Sequence, residues 1–464
     1  MGQFPTMGVP DTGDTAWLLV SAALVLVMTP ALAFFYGGMV RAKSVLNMIM
    51  MSISAMGVVT VLWVLYGYSM TFGDDVGDVV GNPADYWGLQ GLIGVNGAPA
   101  DAATATPAVE IPLVGTVPQT AFVAFQLMFA IITVALISGA VADRMKFGSW
   151  LVFSALWVTV VYFPVAHWVF SFDGATAEHG GWIANKLHAI DFAGGTAVHI
   201  NAGTAGLILA IILGRRRGWP ALTARPHNLP LVMLGAGLLW FGWYGFNAGS
   251  ALTANGVAGS TFITTTVATA AAMLGWLLAE RIRDGHATSL GAASGIVAGL
   301  VAITPSCSSV DVVGALVIGA VAGVACALAV GLKFRFGFDD SLDVVGVHLV
   351  GGIVGTLLVG LLAAPETVAI DGVSGVSPGL FYGGGFDQLW RQLIGAGSVL
   401  AYSAVATTIL ALILKYTIGV RLGAEDESVG IDESQHAESG YDFGVAGGSA
   451  PAHFAALRPG EKRT

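Results

Sequence analysis

Charge is scarce in this sequence. Only 10% of its 464 residues are Asp, Glu, Lys or Arg, against about 25% in an ordinary soluble domain. A soluble fold of this size needs charge to cover its surface, so the deficit excludes a wholly soluble protein and puts lipid against much of the chain. Cysteine is almost absent. Cys307 and Cys326 are the only two, and both lie in or near apolar stretches, which argues against a disulfide framework and against a cysteine-held metal. No basic patch is large enough to suggest a nucleic-acid partner. The net charge of −10 comes from acidic residues spread over loops and tail. Residues 1–14 contain neither Lys nor Arg nor an apolar run, so a signal peptide is not expected there, and the first apolar segment is expected to insert directly.

What is abundant is apolar: 55% of the chain is hydrophobic, and 64 residues are glycine, a residue that lets membrane helices approach closely. A spanning helix needs about 20 apolar residues. Eleven such segments can be read, at 16–40, 45–71, 118–142, 148–170, 191–213, 229–250, 258–279, 287–304, 311–332, 342–363 and 387–417. These runs are continuous, unlike the short alternating segments of a membrane β-barrel. Every odd-numbered segment is followed by Lys or Arg, and of the 19 basic residues only Lys186 and Arg391 fall elsewhere. The loop from Gly73 to Thr116 holds six acidic residues and no basic one. The positive-inside bias therefore predicts an extracellular N-terminus at 1–15, an eleven-helix domain at 16–418 and a cytoplasmic tail at 419–464. By composition the tail reads as a solvated end, with a regulatory docking segment as the alternative, and composition does not separate the two.

Segments one to five and six to ten each hold five helices, and an odd number per half implies halves of opposite orientation. Inverted repeats of this kind place substrate sites near the bilayer midplane. The clearest trace is a pair of strings: DFAGGTAVH from Asp191 to His199, and DSLDVVGVH from Asp340 to His348. Each has Asp followed eight residues later by His. If each Asp marks a membrane boundary, eight helical residues rise about 12 Å from opposite faces of a core about 30 Å thick. The two imidazoles then differ by only about 6 Å in depth. A single membrane histidine is often just bonded to a backbone carbonyl, but two at matching places in inverted halves point to a pathway or relay. Imidazole suits proton relay through its two distinct nitrogens, and burial favours its uncharged form.

With these strings in view the chain resembles the ammonium transporter family (Amt/Mep/Rh), in its bacterial Amt form. The likeness rests on the segment from Asp191 to Asn201, on PHNLP at 226–230, GWYGFNAGS at 242–250, DVVGVH at 343–348 and PALAFFYGGM at 30–39. It runs from about Asp14 to the acidic tail. The resemblance implies an all-α polytopic membrane protein with eleven transmembrane helices: inverted five-helix repeats (helices 1–5 and 6–10) and a long eleventh helix. It further implies a homotrimer in the bacterial cytoplasmic membrane, no cofactor, ammonium or ammonia as substrate with methylamine as a second possibility, and a PII-type regulatory protein at the cytoplasmic face. Carried over position by position, His199 and His348 resemble the twin histidines of the pore, and Phe129 and Phe246 a stacked phenylalanine gate. Phe125 and Ser250 resemble an outer recruitment site, Trp243 a pore-lining tryptophan and Asp191 the acid beneath the outer vestibule. Asp340 is the counterpart of Asp191 in the second half.

Phe170 departs from the family, which usually has Trp at that place. Cation–π attraction is weaker with Phe, so a weaker outer site is expected, and Trp168, two residues away, faces another direction. Bland alternatives attach to each residue: core packing for Phe125 and Phe129, back-bonding to its own helix for Ser250, lipid anchoring for Trp243, helix capping for Asp191. His167 reads as structural. Two competing functions remain from the sequence: an ammonium sensor, and a membrane cytochrome with haem between the two histidines.

Overall fold

The computed structural model describes residues 4–94, 97–101, 103–104, 106–221, 225–368 and 375–441. Among them, ten helices are long and apolar enough to cross a bilayer. They are α1 (Thr12–Met39), α2 (Ala42–Phe72), α3 (Gln119–Val141), α4 (Phe147–Phe170), α5 (Gly195–Leu213), α6 (Leu229–Ala251), α7 (Gly256–Asp284), α9 (Val312–Phe336), α10 (Val345–Leu362) and α11 (Asp387–Thr417). The eighth predicted segment is the shorter helix α8 (Ser289–Ile303), 15 residues long. At 1.5 Å per residue it rises about 22 Å, less than the bilayer core. Its residues from Ala293 to Ile303 are all buried, so protein rather than lipid surrounds it, and buried turns at 304–310 continue its path.

Two further differences concern where helices begin. The fifth and tenth segments were expected to be helical from Asp191 and close to Asp340, but α5 starts at Gly195 and α10 at Val345. The aspartates stand ahead of the helices and hold their first N–H groups, as an N-cap does. The physical cause is local: a carboxylate that accepts from the N–H groups of the first turn cannot itself sit inside that turn.

Helices α5 and α10 run in opposite directions. Thr196 at the start of α5 lies 3.5 Å from Thr356 well along α10. Arg216, just past the end of α5, pairs with Asp339, just before α10, at 2.8 Å. Two glycines allow the helices to touch. A Cβ on Gly203 would stand 2.5 Å from the Leu349 nitrogen, and one on Gly352 would lie 3.2 Å from the His199 Cβ. Both helices also carry a wide turn at their histidine, Gly195–Ile200 and Val345–Leu349, with His199 N–H donating five residues back to Gly194. Such turns recur at functional sites.

At one end of the bundle the loops after α3 and α5 and before α10 are tied by ion pairs. Arg41 and Arg216 both reach Asp143, at 3.4 and 3.3 Å, and Arg421 reaches Glu427 at 3.0 Å. Onto this end docks the chain after α11. Short helix α12 (Ala424–Val429) accepts from Arg217 at the Ala424 carbonyl, 2.9 Å. Asp432 takes the Leu46 and Asn47 N–H groups at 3.0 and 2.8 Å, His436 meets Asn47 at 3.0 Å and Tyr441 meets His227 at 2.8 Å. The first part of the tail is thus packed; 442–464 lies outside the described residues. At the opposite end, β1 (Thr6–Gly8), β4 (Ile111–Val114) and β5 (Val117–Pro118) form a small antiparallel sheet, and β2 (Asp75–Val76) pairs with β3 (Val80–Gly81). His167 braces that end, with its two nitrogens 2.8 Å from the Thr71 carbonyl and 2.9 Å from Asp75.

Candidate functional site

Three cavities lie in series. The outermost, about 320 Å³, is lined among others by Val169, Phe170, Asp191, Ser250 and Asn255. A second, about 100 Å³, is lined by Phe122, Phe125, Phe129, Phe170 and Ser250. The third, about 10 Å³, is lined by Leu32, Ile132, Trp243, Phe246, His199 and His348. That innermost volume is about one water-sized probe, enough for a single small molecule of ammonia's dimensions.

Phe129 and Phe246 separate the second cavity from the third. α3 supplies one ring and α6 the other, stacked with centroids 4.2 Å apart and planes 21° apart. Both rings are buried. Phe125, one helical turn before Phe129, meets it edge-on at 4.9 Å, and Phe170 meets it edge-on at 6.3 Å. The three residues expected at the outer site, Phe125, Phe170 and Ser250, therefore share one cavity wall. The Ser250 hydroxyl donates to the Phe246 carbonyl at 2.8 Å. This is the back-bond considered above, and it leaves the oxygen lone pairs available to accept. Trp168 donates elsewhere, to the Val79 carbonyl at 2.8 Å, and packs on Tyr402.

Beyond the phenylalanines, α5 and α10 bring His199 and His348 together. Their Nδ1 atoms are 3.4 Å apart, and the rings lie nearly parallel, 20° apart, with centroids at 5.4 Å. Both are almost fully buried. Two facing Nδ1 atoms share a hydrogen bond only if one donates and the other accepts. With both rings uncharged, one Nε2 is then a bare acceptor and the other an N–H donor. Among the described residues the Nε2 of His199 has no partner, which leaves it to whatever occupies the small cavity. A haem between the two imidazoles would need their ligating nitrogens about 4 Å apart on opposite sides of a macrocycle, two metal–nitrogen bonds of roughly 2 Å each. The facing Nδ1 atoms stand 3.4 Å apart, at hydrogen-bond distance, and so do not flank such a plane.

Trp243 stacks on His199, 5.5 Å between centroids and 17° between planes. Its Nε1 donates to Thr304 at 2.9 Å, and the Thr304 hydroxyl turns to Asn247 and to the Leu300 carbonyl. Thr304 and Asn247 were not singled out in the sequence. The available signal was a threonine closing the apolar run of α8, which alone suggests only a helix end. Asp191 accepts from the N–H groups of Gly194, Gly195, Thr196 and Ala197 at 2.6–3.1 Å. Asp340 accepts from Val344 and Val345 at 3.1 and 2.7 Å. Both aspartates support the helices that carry the histidines, and neither touches an imidazole among the described contacts.

The chain is similar to known proteins over nearly its whole length. A sequence profile of the Ammonium Transporter Family matches residues 16–441. An ammonium transporter of Mycobacterium bovis is 80% identical over 449 residues, which is 97% of this chain and 94% of that protein. The crystal structure of Saccharomyces cerevisiae Mep2 superposes with a TM-score of 0.78 at 34% identity, covering 90% of this chain and 88% of that one. A structure described as a sensor Amt protein has a TM-score of 0.78 at 26% identity, covering 91% and 98%.

Proposed function

The chain belongs to the ammonium transporter family, and on that footing we propose that it recruits NH4+ in the outer cavities, deprotonates it near the phenylalanine pair and passes NH3 along the histidines. It is an integral membrane protein that transports ammonium, not an enzyme. The proposed route follows from what a cation can and cannot cross. Ammonium at the wall of Phe125, Phe170 and Ser250 gains cation–π attraction and a hydrogen bond to the serine oxygen. The stretch beyond Phe129 and Phe246 is lined mainly by apolar side chains. A bare cation there faces a desolvation cost of several kcal/mol even after relaxation. Ammonium escapes most of that cost by releasing its proton and crossing as NH3, and potassium has no proton to release. The imidazole pair, an acceptor at one end and a donor at the other, then binds ammonia and relays the released proton.

The observation that carries this reading is the pair of parallel imidazoles, 3.4 Å apart at Nδ1, in a cavity of about 10 Å³ behind stacked phenylalanines. Its test is the ammonium-evoked current of reconstituted proteoliposomes, with potassium as the control. Native protein passes current with ammonium and not with potassium. His199→Ala and His348→Ala each lose the current or admit potassium. Native selectivity and native current in both variants would remove the basis of the route. The same measurement separates transport from a sensor that binds ammonium without passing it.

The setting follows the family: a homotrimer in the bacterial cytoplasmic membrane, with residues 1–15 outside, 16–418 in the bilayer and 419–464 in the cytoplasm. The concentration of Lys and Arg at one end of the bundle supports that orientation. A PII-type protein is the regulator we assign to the cytoplasmic face, and pull-down from ammonium-shocked cells with and without residues 419–464 tests it.

A further inference from the structure

Helix α11 belongs to neither five-helix half, and the transport route above gives it no task. Yet its first turns bury two amides completely, Gln388 and Gln392, each 0% exposed. Such burial of an amide is costly unless every donor and acceptor is met.

For Gln392 every one is met. Its Oε1 accepts from the Ile190 N–H at 2.6 Å and from Gln388 Nε2 at 3.1 Å. Its Nε2 donates to the Ile190 carbonyl at 2.7 Å and to the Thr356 carbonyl at 3.2 Å. An amide has two donors and two acceptor sites, so the group is saturated. Its orientation is also fixed, because exchanging oxygen and nitrogen would set a donor against the Ile190 N–H. The partners matter more than the number. Ile190 directly precedes Asp191, the carboxylate that caps α5 and thereby the helix of His199. Thr356 lies on α10, two turns beyond His348. Gln388 extends the grip, donating to the His188 carbonyl and accepting from the Ser377 N–H, both at 3.1 Å. Ala189, Ile190, Asp191 and Val376, all in or beside the gripped segments, form one wall of the 320 Å³ outer cavity.

We propose that Gln392 is a positioning residue: it clamps the backbone ahead of Asp191 to α10, and so sets the outer cavity wall and the register between the two inverted halves. The inference rests on the transport reading above. It gives α11 a purpose, that of a strap holding the ends of α5 and α10 at fixed spacing without touching substrate.

The test is ammonium-evoked current against ammonium concentration in proteoliposomes, normalised to folded protein by size-exclusion chromatography, for native protein, Gln392→Leu, Gln392→Glu and His199→Ala. Leu removes all four bonds at similar size. The half-saturating concentration then rises about tenfold, the scale of losing a buried hydrogen-bond pair, while the maximal current per folded protein falls less. Glu keeps the acceptor toward the Ile190 N–H and, protonated, one donor, so its half-saturation falls between native and Leu. If Gln392→Leu does not fold, the near-isosteric Gln392→Glu carries the test by itself, with a raised half-saturation expected. A variant that lowers protein yield but keeps native half-saturation shows a merely structural glutamine and overturns the inference. His199→Ala separates the two readings. If it abolishes current while Gln392→Leu and Gln392→Glu keep native half-saturation, only the clamp fails. If it changes nothing, the histidine route itself fails.

Discussion

Phe170 stands on the wall of the second cavity with its ring edge-on to Phe129. A tryptophan there would offer a cation a wider, more electron-rich face, and since a whole cation–π contact at an exposed site is worth about 0.5–1 kcal/mol, the gain is smaller than that. Phe170→Trp is therefore expected to lower the half-saturating ammonium concentration by less than about fivefold, read from the concentration dependence of the current; an unchanged value would show that ring does not meet the cation. Thr304 tests the other side of the gate. Its hydroxyl is the acceptor for Trp243 Nε1, so Thr304→Val strands a buried donor against an isosteric methyl. The expected loss is about 1–3 kcal/mol, seen as a lower melting temperature, with current falling as the ring on His199 loosens. At this scale the histidines, phenylalanines and Trp243 were legible because their spacing and resemblance marked them. Thr304, Asn247 and Gln392 were not, because a lone polar residue in an apolar run looks the same whether it ends a helix or supports a site.

Helices α5 and α10 each begin inside the protein, where four orphan N–H groups need acceptors. Asp191 accepts from four N–H groups and Asp340 from two, in each case counting the residue just ahead of the helix. Replacing a capping side chain by Ala commonly costs about 0.5–2 kcal/mol, and a charged acceptor with several donors sits at or above the upper end. Asp191→Ala is expected to lower thermal stability more than Asp340→Ala, with Asp191→Asn between native and Ala; equal melting temperatures for the two Ala variants would show that the number of N–H groups held is not what matters. The Asp to His spacing was legible as an inverted pair, but its meaning shifted. The spacing alone suggests boundary markers with eight helical residues behind them, whereas the helices start four or five residues after each aspartate. The cap fixes where each helix begins relative to its histidine.

Across the whole molecule, the basic end of the bundle is stapled by charges and by the tail. Burial pushes the Asp339 carboxyl up, but the hydrogen bonds and charge of Arg216, with Arg144 nearby, outweigh it and hold the carboxyl below the usual carboxylate range. A depressed folded value means that this pair's stability is fully present above the unfolded value of about 3.9 and is lost as pH falls through the folded one. Its contribution to the melting temperature is expected to stay flat from pH 8 to pH 5 and to drop only below about pH 4, and Asp339→Asn should abolish that acid limb. Asp432 works on α2 from the tail, capping N–H groups from more than 380 residues away. Asp432→Ala is expected to free residues 424–441, measured as faster amide exchange there with the helical bundle unaltered.

The sequence by itself determined the membrane class, the family, the odd five-helix halves and the two histidines. Those properties reside in composition, charge placement and spacing along the chain, and burial in lipid constrains each of them locally. Only the tertiary structure decided that the imidazoles share a hydrogen bond, that three cavities line up through the phenylalanine pair, that α8 stays short within protein and that α11 reaches back to Ile190. These depend on which helices lie side by side and at what register, and a side chain's partner across space leaves no periodic mark on either segment.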